Sequence, residues 1–139
     1  ESMSETLARW LPYKNDIALR IPALPAFIER ARVLVEREYR GLEVVWYGHV
    51  GDGNLHLNVL KPETMPVAQF AGLCERVTHG IAALVRDCGG SISAEHGVGL
   101  LKKHILHYTR SSAEIEALRQ IKRVFDPAAI MNPGKIFDP

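Results

Sequence analysis

Two β-forming runs that meet at a glycine-flanked aspartate constrain this chain more than any other feature. Residues 42–50, Leu-Glu-Val-Val-Trp-Tyr-Gly-His-Val, are rich in β-branched and aromatic side chains. Residues 54–60, Asn-Leu-His-Leu-Asn-Val-Leu, alternate apolar and polar. Gly51-Asp52-Gly53 lies between them, and Asp-Gly is a strong tight-hairpin signal. A two-residue turn at Asp52-Gly53 pairs Val50 with Leu55 and His49 with His56. Alternation then sorts the side chains by face. Val44, Trp46, Val50, Leu55, Leu57 and Val59 form a core face. Tyr47, His49, His56 and Asn58 form the other.

The flanking segments extend this hairpin into a fold. Residues 14–20 read as a strand. Pro22 and Pro25 open a helix whose apolar positions Leu24, Phe27, Ile28, Ala31, Leu34, Val35 and Tyr39 recur at helical spacing, and Gly41 ends it. A long helix is expected over about 66–88, with a stripe from Val67 through Phe70, Cys74, Val77 and Ile81 to Cys88. Gly89-Gly90 stops it. Residues 91–94 read as a fourth strand and 100–108 as a helix. Ser111 and Glu114 make a capping box ahead of a last helix carrying Ile115, Leu118, Ile121, Val124 and Phe125 inward. A second box, Ser2 to Glu5, predicts a short helix to about Leu11. The order from 14 to 94 is β-α-β-β-α-β. The expected fold class is therefore α+β: a ferredoxin-like, split β-α-β antiparallel sheet with helices on one face, plus C-terminal helices. No linker or repeat interrupts it, so residues 1–139 read as one domain.

Composition narrows the function classes. The net charge of +1 over 139 residues excludes a strongly cationic nucleic-acid binder. No apolar run approaches the roughly 20 residues of a membrane-spanning helix. Cys74 and Cys88 fall about 21 Å apart on one helix, too far for a disulfide, and suit buried thiols in a reducing cytoplasm. The chain starts at Glu1 without an initiator Met or a signal peptide, and is expected to be a piece of a longer protein.

The polar face of the hairpin carries the chemistry. Directly opposed residues have Cβ atoms about 4.5–5.5 Å apart, and two imidazoles at that distance suit one divalent ion. Glu95, at the end of the fourth strand, is the best third ligand. His-His-Glu leaves coordination positions open, as catalytic sites do. His96 cannot share its neighbour's direction, so it fits a general base. The residues alone also allow plainer readings: His49 and His56 as a surface polar pair, and Glu95-His96 as a helix-entry turn. His79, His104 and His107 read as surface residues. No HExxH, G-x-S-x-G or P-loop occurs.

Three blocks carry a resemblance. Residues 48–58, Gly-His-Val-Gly-Asp-Gly-Asn-Leu-His-Leu-Asn, residues 93–99, Ser-Ala-Glu-His-Gly-Val-Gly, and Asp126-Pro127 followed by Met131-Asn132-Pro133-Gly134-Lys135 resemble, in order, the signatures of the C-terminal domain of FAD-linked oxidases. That family includes D-lactate dehydrogenase, D-2-hydroxyglutarate dehydrogenase and the glycolate oxidase D subunit. The N-terminal third matches more loosely, through Glu1 to Glu5 and Lys14-x-Asp16.

The resemblance implies the substrate half of a flavin-dependent dehydrogenase or oxidase that converts a D-2-hydroxy acid to the 2-oxo acid. An N-terminal FAD domain of the same protein would hold the flavin, leaving this chain inactive alone. His49, His56 and Glu95 would bind a divalent metal, with zinc expected. His96 would take the hydroxyl proton. Asn58, Lys14 and Ser4 would contact substrate, and Asn132 and Lys135 would lie towards the flavin. An arginine that precedes the acidic residue matched by Glu1 would fall just outside the chain. The expected partners are that FAD domain and a small 2-hydroxy acid, with a homodimer compatible, no nucleic acid, no transmembrane segment and a cytoplasmic location. Two other classes compete: a non-catalytic ferredoxin-like module for ligand binding or subunit contact, and a metal hydrolase using His49, His56 and Glu95. Metal binding tests the first, and hydrolysis by the isolated domain the second.

Overall fold

The computed structural model of the chain describes residues 12–138. Ser4 and the helix expected up to Leu11 lie outside them. Strands β1 (Pro12–Ala18), β2 (Val44–Tyr47) and β3 (Asn54–Leu60) form an antiparallel sheet in the order β1-β3-β2. β3 is therefore central, and all seven of its residues are buried. Helices α1 (Leu24–Glu38) and α2 (Val67–Asp87) pack against one another and on the apolar face of the sheet. Phe27, Leu57, Val59, Cys74, Val77, Ile81 and Val85 are the most deeply buried side chains there. Each full burial of a large apolar group contributes about 1.5–3 kcal/mol.

The fourth strand shrinks to a single antiparallel bridge, Ser91 to Ala18, which places it beside β1 as the split β-α-β order requires. The next backbone N–H groups do not extend this ladder. Those of Ala94, Glu95 and His96 all point to one carboxylate oxygen, Asp16 Oδ2, at 3.1, 3.3 and 3.2 Å.

The hairpin register differs from the expected one. Tyr47, not His49, stands opposite His56, and Trp46 pairs with Leu57. The connection runs from 48 to 53 and contains a 3₁₀ turn at Val50–Asp52. The His49 carbonyl accepts from both Asp52 N–H (3.0 Å) and Asn54 N–H (3.1 Å), and Gly53 closes the loop at φ +72°. The shift is two residues, so strand alternation survives and His56 and Asn58 keep their face. Val50 leaves the core face and is exposed.

Two other segments depart from expectation. The helix expected over 100–108 shortens to a 3₁₀ helix at 103–108, which buries only Ile105 and Leu106. Helix α3 (Ser112–Phe125) has the expected capping box, with Ser111 Oγ accepting from Glu114 N–H and the Glu114 carboxylate accepting from Ser111 N–H. Its apolar face does not point inward: Leu118, Ile121, Val124 and Phe125 are 40–76% exposed. Helical periodicity reports that a face is apolar, not which surface covers it. Cys74 and Cys88 are both unpaired, the first buried and the second half-buried. No described helix is long and apolar enough to cross a membrane.

Candidate active site

The sheet face opposite the core is assembled by register. Asp16 and Tyr47 flank His56, and Lys14 and Val45 flank Asn58, so one polar row crosses the three strands and Lys14 and Asn58 lie beside it. His56 and Asn58 are buried, while Lys14 is exposed at the edge strand. Asn58 Nδ2 donates to the Tyr47 hydroxyl at 2.9 Å, which fixes the amide within the sheet. The turn at 94–96 then lies over the Asp16–His56 row.

His56 is at the centre of this arrangement. Its Nδ1 lies 3.5 Å from Asp16 Oδ1 and its Nε2 lies 3.4 Å from Glu95 Oε1. The His96 ring stacks on that of His56, centroids 5.6 Å apart, with Nδ1 3.5 Å from Asp16 Oδ2 and Nε2 3.4 Å from Glu95 Oε1. One ligand atom from each of Asp16, His56, Glu95 and His96 can be chosen so that all lie within 4.8 Å of one another. His49 stands at the margin. The longer connection carries it beyond the sheet, where its exposed Nδ1 is 4.0 Å from Glu95 Oε2 and its ring is 6.2 Å from that of His56.

Asp16 carries most of the electrostatics. Burial alone pushes its carboxyl upward. The backbone N–H of His96, the Lys102 ammonium and the N–H of Glu95 outweigh that cost and hold it below the usual carboxylate range. Lys102 Nζ reaches Asp16 Oδ2 and the Asp16 carbonyl, each at 3.2 Å, and Ser93 Oγ at 3.3 Å. Asp16 Oδ1 is buried and has no hydrogen-bond partner among the described residues. A carboxylate facing His56 Nδ1 favours the tautomer with its proton there, which leaves the Nε2 lone pair free for a ligand.

The structure thus gathers His49, His56, Glu95 and His96, with Asn58 and Lys14 one row away. Asn132 and Lys135 are exposed on the segment after α3, and no hydrogen bond or ion pair among the described residues joins them to the histidines. The segment itself meets the site loop through Ile136 N–H, which donates to the Gly99 carbonyl at 2.8 Å. Sequence reasoning missed the roles of Asp16 and Lys102. Asp16 was within reach, because it alternates with Lys14 onto the polar face. Lys102 was not, because only the turn of residues 93–102 brings it back to β1.

The family model described as "FAD linked oxidases, C-terminal domain" matches residues 2–136. The chain is 51% identical, over 99% of its length, to a D-2-hydroxyglutarate dehydrogenase of Stutzerimonas stutzeri, and covers 30% of that protein. It is 50% identical, also over 99% of its length, to one of Xanthomonas citri pv. viticola, covering 29%. It is 48% identical over 88% of its length to a D-2-hydroxyglutarate–pyruvate transhydrogenase of Saccharomyces cerevisiae, covering 25%. The chain therefore spans about a third or less of the relatives it matches.

Proposed function

The chain belongs to the FAD-linked oxidase C-terminal domain family, and from that premise we propose that it forms the substrate and metal site of a flavin-dependent dehydrogenase acting on a D-2-hydroxy acid. D-2-hydroxyglutarate is the foremost substrate, on the names of the two relatives near 50% identity. The observation that carries the reading is the buried His56 imidazole, bracketed by Asp16 and Glu95 and stacked on His96.

The donor set fits a divalent metal. His56 Nε2, the Glu95 carboxylate and His49 Nδ1 would hold it, and zinc suits this nitrogen-and-oxygen set. The Asp16 oxygen without a hydrogen-bond partner is placed to receive the His56 Nδ1 proton, the arrangement that orients metal-binding imidazoles. The bound metal would supply Lewis acidity towards the substrate hydroxyl and carboxylate, and bound FAD the hydride acceptor.

The remaining chemistry falls to the chain's own residues. His96 takes the hydroxyl proton at its imidazole while C2 gives up a hydride, and the substrate becomes the 2-oxo acid. The Asp16 carboxylate faces the positive charge that His96 then carries. Asn58, tied to Tyr47, lines the floor, and Lys14 offers its exposed ammonium to a carboxylate. Ser4, which lies outside the described residues, would contact substrate as the family resemblance implies.

The exposed apolar face of α3 would be covered by the flavin-binding part of the protein, with Asn132 and Lys135 at that border. Large exposed apolar groups on one face mark an interaction surface. The unpaired thiols suit a cytoplasmic location. The test is anaerobic mixing of the full-length protein with D-2-hydroxyglutarate, D-lactate or glycolate. Bleaching of the flavin by one of these acids, abolished by H56A, supports the reading. Retention of full turnover in H56A overturns it.

A further inference from the structure

We propose that Glu75, His79 and His104 form a second divalent transition-metal site, separate from the His56 centre, that clips helix α2 to the 103–108 segment. The two groups share no residue. Glu75 and His79 are four apart on α2, which places them on one face of the helix. His104 comes from the 3₁₀ helix that packs against α2.

The ligand atoms already converge. His104 Nε2 lies 3.0 Å from Glu75 Oε1, and His79 Nε2 lies 3.7 Å from the same oxygen. One ligand atom from each of the three residues can be chosen within 4.8 Å of the others. Tetrahedral zinc with bonds of about 2.0–2.1 Å sets its ligands roughly 3.3 Å apart. The two spacings to Glu75 bracket that value, and the two imidazole ligand atoms lie within 4.8 Å of each other.

A second observation points the same way. His79 Nδ1 lies 3.2 Å from the Tyr108 hydroxyl. When Nδ1 carries the proton and donates it to that oxygen, Nε2 presents its lone pair towards Glu75. Metal-binding imidazoles are oriented by this kind of second hydrogen bond. Two imidazoles and one carboxylate suit zinc or a neighbouring borderline ion over calcium or magnesium, which prefer oxygen. The clip also has a target. Lys102, at the start of the clipped segment, holds the Asp16 carboxylate, so metal here would steady one support of the first site.

Counting zinc tests this. The purified full-length protein is stripped with a chelator, refilled with zinc and assayed for bound metal, beside H56A, H79A, H104A and E75Q. H79A and H104A are each expected to lose one equivalent relative to the parent, and H56A to lose a different one. In the H56A background zinc should raise the melting temperature, and the added H79A or H104A change should remove that shift. Glu75, His79 and His104 are a third to a half exposed, so these variants should keep the fold, which circular dichroism checks. Unchanged zinc content and melting shift in H79A and H104A overturn the proposal. Loss of metal in H56A alone would leave the first site standing and remove the second.

Discussion

Asp16 and His56 are direct partners across the β1–β3 register, and their side chains meet with Oδ1 3.5 Å from Nδ1. The other Asp16 oxygen collects three backbone N–H groups and the Lys102 ammonium. One carboxylate therefore faces the His56 imidazole with one oxygen and pins the turn that carries Glu95 and His96 with the other. D16N keeps the shape but weakens both duties. Metal affinity, measured by competition with a chromophoric chelator, should fall by roughly 10–100-fold, as for other supporting partners of metal ligands. Parent-like affinity in D16N would remove Asp16 from this role.

The three site histidines should separate by assay. H49A and H56A should lose metal and turnover together. H96A should keep its metal and lose about 10²–10⁴-fold in kcat, the usual contribution of a general base. Metal loss in H96A, with metal retained in H49A, would exchange their roles, a result that the position of His49 at the margin makes worth seeking.

The two thiols should differ sharply in reactivity. Burial pushes the Cys74 thiol up to about 11, although the neighbouring Tyr39 hydroxyl offsets part of the rise. The thiolate is the reactive form, so Cys74 should stay unmodified in the native protein. Cys88, half-buried at the end of α2, should be the one to react. A thiol titration should count at most one of this domain's cysteines in the native protein and both after denaturation; mass mapping of native Cys74 as modified would contradict this.

Gly53 closes the hairpin connection at φ +72°, and a Cβ there would stand 1.9 Å from the Leu19 carbonyl oxygen. G53A should therefore destabilise by more than the roughly 1–2 kcal/mol that a left-handed backbone alone costs a residue with a Cβ, because the clash is with backbone. Denaturant melts compare it with G51A, where nothing lies within 4 Å. Equal effects at the two positions would refute the clash.

Asp126 ties down the C-terminal segment. The Lys122 ammonium holds its carboxyl below the usual range, against the opposing effect of burial and with help from the N–H groups of Met131 and Ile130. A depressed carboxyl contributes stability above its unfolded value of about 3.9 and loses it as pH falls through the folded value. Protection of the amides of residues 128–136, Pro133 apart, from hydrogen exchange should therefore drop selectively below about pH 4. D126N should show the same loss at neutral pH, and equal protection in D126N would exclude the carboxylate as the anchor.

The sequence by itself determined the elements and the faces. Helical spacing located α1 and α2, and the Ser111–Glu114 box located the start of α3. Strand alternation put His56 and Asn58 on one face, and that assignment survived a register error because the shift was an even number of residues. The hairpin and the end of the expected fourth strand brought His49, Glu95 and His96 into view, and the family blocks supported them. Tertiary structure alone decided which groups meet. The loop at 48–53 moved His49 to the margin, Asp16 drew in the N–H groups of 94–96 in place of a fourth strand, and Lys102 returned from a distant turn. It also left the apolar face of α3 uncovered and brought His104 to Glu75 and His79. The physical reason is range. Alternation and helical periodicity are set by backbone geometry over a few residues. A loop's path, a buried carboxylate's donors and a surface's cover depend on groups far apart in the chain.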